Sequence, residues 1–325
     1  MQVLALLSAC GVAAMKNGHP QSKKVLVAFD LDGTLLNGDH EVPARNAAKL
    51  RELCELGVVV CIASGRSGPA MYHLIQDLAL PAEHTFAVAY NGAVGFRFPR
   101  GFSKLDAERK SVVFDQPLEP SCVDFLIEFG QSRGLLAQIY VGDDIFAQCK
   151  TEAHYDFARR YAALTGCEHS FVENYDGVDR DKVAKCLVMT DDPDAIAEAL
   201  KAAMAARGVE ATVVRGSPPF FVEVLHERVT KGAGLARLCA ELGIDPGACV
   251  AFGDGDNDIE MIQAVGLGVA MKNARPNLQS VADRITQLDN NNDGVAAYLE
   301  QLQAEGHLPV PMTTTATTKT TPAVV

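Results

Sequence analysis

Val25-Leu-Val-Ala-Phe-Asp30-Leu-Asp32-Gly-Thr34-Leu-Leu36 is the stretch on which the reading of this chain turns. Its first five residues are apolar and rich in β-branched and aromatic types, the signature of a short buried strand. The strand runs into two carboxylates one residue apart, followed by Gly33 and Thr34. In an open parallel sheet, ligands bind beyond the carboxyl ends of the strands, so Asp30 and Asp32 are expected where chemistry takes place. Two acids buried side by side are costly unless a metal or a reaction uses them.

Three later strand ends share that character. Val58-Val-Val-Cys-Ile-Ala63 leads into Ser64-Gly65-Arg66. A hydroxyl and a permissive backbone at a helix start suit a phosphate oxygen, although the same residues also read as a plain helix cap. Tyr90-Asn91-Gly92-Ala93 ends another apolar run and is equally an ordinary turn. Ala251-Phe-Gly-Asp254-Gly-Asp256-Asn257-Asp258 places three acids within five positions. They repel one another unless a cation or hydrogen bonds hold them. A calcium loop would need more oxygen ligands over a longer, regularly spaced segment.

Around these ends the chain alternates. Apolar runs at Val25–Phe29, Val58–Ala63, Phe86–Tyr90, Cys249–Phe252 and Gly268–Met271 are separated by helical patterns at Pro43–Leu56, Lys231–Leu242 and Asp256–Val265. Near-continuous apolar strands between helices predict an α/β fold: a doubly wound, mostly parallel Rossmann-like sheet covered on both faces. The middle differs, with shorter alternating strands and three helical stretches. The expected organisation is a core formed by residues 23–93 and 225–304, interrupted by an inserted α+β cap domain at 94–224.

Composition bounds the partners. At 325 residues and 48% hydrophobic content the chain can bury a large core and form two domains. A net charge of −12 argues against nucleic acid or an anionic membrane as main partner. Nine cysteines, none spaced Cys-x-x-Cys, point to a reducing, cytoplasmic interior instead of a disulfide framework. Residues 1–22 read as a flexible extension. Leu7-Ser-Ala-Cys10 resembles a lipoprotein box, but no Lys or Arg precedes it. Residues 305–325 are Pro- and Thr-rich and read as a disordered tail. Nothing in the sequence sets an oligomeric state.

Together and in this order, the segments resemble the four motifs of the haloacid dehalogenase superfamily, within its Cof-type phosphatase branch. Asp30 and Asp32 fall on the first motif, Ser64 with Gly65 on the second. Lys231 in Val229-Thr-Lys-Gly-Ala233 falls on the third, and Asp254 with Asp258 on the fourth. The likeness continues through Gly268-Val-Ala-Met-Lys-Asn273-Ala and Asp293-Gly294-Val-Ala, covering roughly Lys24 to Leu302. Ser64 stands where Thr is commoner, and Lys272 where Gly is often found; neither change touches the chemistry.

The resemblance implies an enzyme that hydrolyses a small phosphorylated metabolite with Mg²⁺. Asp30, Asp254 and the backbone carbonyl of Asp32 would hold the metal, with Asp258 in support. Asp30 would attack phosphorus to give an aspartyl-phosphate, and Asp32 would act as general acid and base. Ser64, Gly65 and Lys231 would bind the phosphate, and Asn91, Asn257 and Asn273 the substrate. A sugar-phosphate mutase would share this nucleophile. A metabolite-binding protein without turnover would not need all four of Asp30, Asp32, Lys231 and Asp254. An aspartyl-phosphate ion pump is excluded, since no apolar stretch reaches the length of a membrane span.

Overall fold

The structure, a computed structural model, describes residues 24–81, 85–216 and 218–311. The expected extension 1–22 and the run Thr313–Thr321 lie outside the described residues. The chain opens with β1 (Leu26–Phe29), α1 (Ala44–Glu55), β2 (Val59–Ala63), α2 (Gly68–Leu78), β3 (Thr85–Ala89), β4 (Val94–Arg97) and β5 (Ser111–Asp115). A second unit follows, with α3 (Pro120–Ser132), β6 (Leu136–Val141), β7 (Asp144–Ala147), α4 (Glu152–Thr165) and β8 (Ser170–Phe171). It closes with β9 (Val183–Met189), α5 (Pro193–Arg207), β10 (Thr212–Arg215) and β11 (Phe221–Leu225). The chain then returns through α6 (Lys231–Leu242), β12 (Cys249–Gly253), α7 (Ile259–Gln263), β13 (Leu267–Ala270), α8 (Pro276–Val281), β14 (Arg284–Ile285) and α9 (Gly294–Ala304).

The first sheet has the order β14-β13-β12-β1-β2-β3-β4-β5 and is parallel from β14 to β3. Both faces are covered, as alternation along β12 shows. The Phe252 ring lies 5.9 Å from that of Tyr298 on α9. Cys249, three residues earlier and therefore on the opposite face, places its sulfur 3.6 Å from that of Cys239 on α6. This is the doubly wound α/β architecture expected from the sequence. β1 is buried throughout and lies at the centre, with β12 and β2 on either side. The loops after these three strands therefore converge.

The second sheet, β10-β11-β9-β6-β7-β8, is antiparallel except for the β7–β8 pair. Val222 and Val224 of β11 pack in the cluster that holds α3 and α5. Phe221 and Leu225 of the same strand join the cluster that contains the core sheet. One face of this sheet thus turns toward the core. The β6–β7 turn is tied down there by Tyr90 Oη donating to the Gly142 carbonyl at 3.0 Å and Tyr72 Oη to Asp143 Oδ1 at 2.6 Å.

Two expectations need correction. The insertion is expected from Val94, yet β4 pairs antiparallel with β3 and β5 antiparallel with β4 as the edge of the first sheet. The reason is the turn between β3 and β4, where Tyr90 and Asn91 have φ of 54° and Gly92 of 116°. That turn reverses the chain into a hairpin, so the second unit begins only at α3. The tail expected from residue 305 also starts too early. His307 N–H donates to the Leu302 carbonyl, Gly306 adopts φ 77°, and Leu308 is buried. A left-handed glycine followed by an apolar contact is a helix C-terminal cap.

Candidate active site

Asp30 leaves β1 with its N–H bonded to the Phe252 carbonyl at 3.0 Å, which locks it to β12. The chain then makes a wide turn in which Leu36 N–H reaches back to the Leu31 carbonyl at 2.9 Å. Gly33 occupies that turn at φ 78°, and a Cβ there would lie 2.3 Å from Asp254 Oδ2. Glycine therefore lets the loop lie directly against the end of β12. Thr34 Oγ1 completes the contact by donating to Asp254 Oδ1 at 3.0 Å.

Lys231 is the first residue of α6, a place where lysine is usually solvated. Here it is 1% exposed. Its Nζ donates to Asp30 Oδ1 at 2.6 Å and to Asp258 Oδ1 at 2.7 Å. The helix start is pressed into the core by the β3–β4 turn: a Cβ on Gly92 would sit 2.0 Å from the Thr230 carbonyl. Asp258 is fully buried, and its Oδ2 accepts the N–H groups of Asp254 at 3.0 Å and Gly255 at 2.9 Å. It braces the loop after β12 and orients Lys231 in one arrangement.

The charges are unbalanced. Asp30, Asp254 and Asp258 each offer an oxygen, and the three lie within 4.8 Å of one another. Burial, and then the neighbouring Asp258, push the Asp30 carboxyl well above its usual range, with Lys231 pulling the other way. Asp254 is raised too, by burial first and by Asp258, against the Thr34 hydrogen bond. Burial opposes the charge on Lys231, but Asp30 and Asp258 outweigh it and hold its pKa above the ordinary lysine value. One ammonium faces three carboxylates, an all-oxygen donor set that suits a hard divalent cation.

Asp32 stands apart from this cluster and is half-exposed. Arg66 Nε donates to its Oδ2 at 2.8 Å and an Nη to Oδ1 at 2.5 Å, while His40 Nδ1 lies 3.3 Å away. Burial would raise the Asp32 pKa, yet Arg66 and then His40 hold it below the usual value. Ser64 is buried at the end of β2, and its Oγ accepts the Arg66 N–H at 3.2 Å. Its carbonyl accepts the Asn91 N–H at 3.0 Å. A Cβ on Gly65 would come within 3.0 Å of Asn91 Oδ1.

Of the three expected substrate-binding amides, two are brought together. Asn257 Nδ2 donates to Asn91 Oδ1 at 3.1 Å, beside Ser64 and Gly65. Asn273 is engaged elsewhere. Its Nδ2 donates to the Gly33 carbonyl at 2.7 Å, and its Oδ1 accepts the Asn290 N–H at 3.1 Å. It holds the Asp30–Thr34 loop in place from the turn after β13.

Sequence reasoning assigned no role to Thr34, Arg66, Lys185 or Glu223. The first two lie inside the segments quoted above and needed only their partners. Lys185 and Glu223 had a signal of their own, since each is a single charge inside an apolar strand, of opposite sign. Their pairing, Lys185 Nζ to Glu223 Oε1 at 2.6 Å, joins strands 38 positions apart. Asn91 Nδ2 reaches Glu223 Oε2 at 3.5 Å, so the second sheet touches the site.

A family model described as haloacid dehalogenase-like hydrolase matches residues 27–299. A phosphoglycolate phosphatase of Methanopyrus kandleri is 30% identical over 280 residues, covering 86% of this chain and 97% of that protein. The crystal structure of a haloacid dehalogenase-like hydrolase from Bacteroides thetaiotaomicron superposes with a TM-score of 0.73 at 29% identity. It covers 86% of this chain and all of the other. The Thermotoga maritima protein TM0651 superposes with a TM-score of 0.72 at 25% identity, covering 86% and 97% of the two chains.

Proposed function

This chain belongs to the haloacid dehalogenase-like hydrolases, in their Cof-type branch, and from that premise we propose that it is a Mg²⁺-dependent phosphatase of a small phosphorylated metabolite. The observation that carries this reading is Lys231, buried and shared between Asp30 and Asp258, with the Asp254 carboxylate alongside. Asp30, Asp254 and the Asp32 carbonyl would hold the cation, and Asp258, whose oxygens already accept hydrogen bonds, would brace them. When bound, Mg²⁺ would neutralise phosphoryl oxygens and offset their repulsion from an attacking carboxylate.

The chain's own residues supply the rest. Ser64 and Lys231, with the Gly65 backbone, receive the phosphoryl oxygens. An Asp30 oxygen attacks phosphorus in line, forming an aspartyl-phosphate as the bond to the leaving oxygen breaks. Asp32 delivers a proton to that oxygen. It then takes a proton from the water that attacks the aspartyl-phosphate, releasing inorganic phosphate and restoring Asp30.

The name of the Methanopyrus kandleri relative supports the phosphatase class; the ester used by this chain is a separate question. A reducing, cytoplasmic setting would suit the eight free cysteines among the described residues. Among those residues no helix is long and apolar enough to cross a membrane. The test is a phosphate-release screen over a panel of metabolite esters, with Mg²⁺ and with chelator, run beside Asp30→Asn. The reading expects Mg²⁺-dependent release that Asp30→Asn abolishes for every ester. Release that survives in Asp30→Asn, or in excess chelator, would overturn it.

A further inference from the structure

The β11 strand places Glu223 on the face of the second sheet that turns to the core, between Phe221 and Leu225. Lys185 and Glu223 are 3% and 7% exposed. A buried ion pair is weak support for stability, because desolvation cancels much of the attraction. This one is joined through Asn91 to Ser64 and Gly65, the candidate phosphate loop. The bond from Asn91 is 3.5 Å, long enough to yield to a better partner. The Glu223 carboxylate is therefore one amide side chain away from the candidate phosphate loop.

Two polar, uncharged side chains lie on the same sheet face as the pair. Register sets Tyr140 opposite Lys185 and Gln138 opposite Leu187, which in turn opposes Glu223, so all share one face. Both ends of the Gln138 amide are buried without a hydrogen-bond partner among the described residues. Buried polar groups of this kind are normally satisfied, and an exception calls for a ligand or water. Neutral donors and acceptors match hydroxyl groups.

We infer that Glu223 sets a charge rule for the substrate: the site takes a monophosphate whose leaving alcohol is uncharged and hydroxylated, and rejects one bearing a second anionic group. The inference rests on the phosphatase reading above. Lys185 does not offset a second anion, because Glu223 already holds its ammonium at 2.6 Å. A carboxylate or second phosphate on the substrate would meet Glu223 as a like charge in a water-poor setting, where such juxtaposition is strongly unfavourable.

Glycerol 3-phosphate and 3-phosphoglycerate differ at one carbon, a neutral carbinol against a carboxylate, and make the matched pair. Wild-type protein should show kcat/KM higher for glycerol 3-phosphate by on the order of tenfold or more. Glu223→Gln keeps the shape, removes the negative charge and leaves Lys185 unneutralised, so the ratio should shift toward 3-phosphoglycerate by about tenfold or more. In Lys185→Met/Glu223→Gln the ratio should still shift toward 3-phosphoglycerate, by less than in Glu223→Gln, because the repelling carboxylate is gone and no ammonium attracts; a ratio back at the wild-type value overturns the rule. Equal handling of the two esters by the wild type overturns the rule without need of a variant. A uniform loss in a folded Glu223→Gln protein overturns it as well. If no ester is hydrolysed by any form, the phosphatase reading fails on its own. Calorimetric titration of the same two esters then decides the charge rule, by a preference for glycerol 3-phosphate or its absence.

Discussion

Arg66 grips Asp32 through both carboxylate oxygens, at 2.8 and 2.5 Å, and turns it away from the Asp30–Lys231–Asp258 cluster. The pair is partly exposed, so water screens the attraction and competes for both groups. Asp32 can therefore leave Arg66 when a leaving oxygen needs its proton. Motif spacing identifies Asp32 but not this resting partner.

The two acids of the Asp30–Asp32 segment should separate under substitution. With an alkyl phosphate, Asp32→Asn should lower turnover by about 10²–10⁴-fold, the usual worth of a positioned acid–base group. With an aryl phosphate the phenolate leaves unaided, so the first half-reaction should survive better than the second. A burst of phenolate in stopped-flow, with labelled aspartyl-phosphate trapped on quenching, is the expected result. Equal losses for both esters and no burst would mean that Asp32 serves only to hold the loop.

Lys231 links function to stability. Lys231→Met leaves Asp30 and Asp258 buried without their cation, and removing one partner of a buried pair costs about 3–5 kcal/mol. Chemical denaturation should show that loss together with loss of phosphate release. A variant as stable as the wild type would show that the acids are neutral in the native protein.

Gly33 tests the contact between the Asp30–Thr34 loop and Asp254. Gly33→Ala would place a methyl 2.3 Å from Asp254 Oδ2, in a left-handed backbone that alanine disfavours by about 1 kcal/mol or more. The Mg²⁺ concentration for half-maximal activity should rise in Gly33→Ala, and rise in Asp254→Asn as well. An unchanged metal requirement in both would remove Asp254 from the metal site.

His169 provides a pH dependence away from that site. Burial lowers its pKa, its Nε2 has no partner among the described residues, and its ring stacks on Phe171 at 5.9 Å. Between the lowered folded value and the ordinary value near 6.5, the unfolded chain binds more protons, so stability falls as pH falls. His169→Phe should shrink the drop in Tm between about pH 7 and about pH 5. An identical drop in the two proteins would assign the acid sensitivity elsewhere.

The sequence by itself determined the core strands and the acids at their ends. Val25–Phe29, Val58–Ala63 and Cys249–Phe252 are apolar runs long enough to be buried strands, and they are strands within a residue or so. Lys231–Leu242 is a helix over the expected residues. Such signals are local, carried by hydrophobic period and by the residue that follows the run. Tertiary structure alone decided which strands pair and which side chains meet. Asn91-Gly92 marks a turn in either sheet, and only the pairing of β4 with β3 assigns it to the core. Asn273 bonds the Gly33 carbonyl 240 positions away, and Lys185 meets Glu223 on a neighbouring strand. Those contacts join residues distant along the chain, and a chain's local pattern does not specify which distant group closes each one.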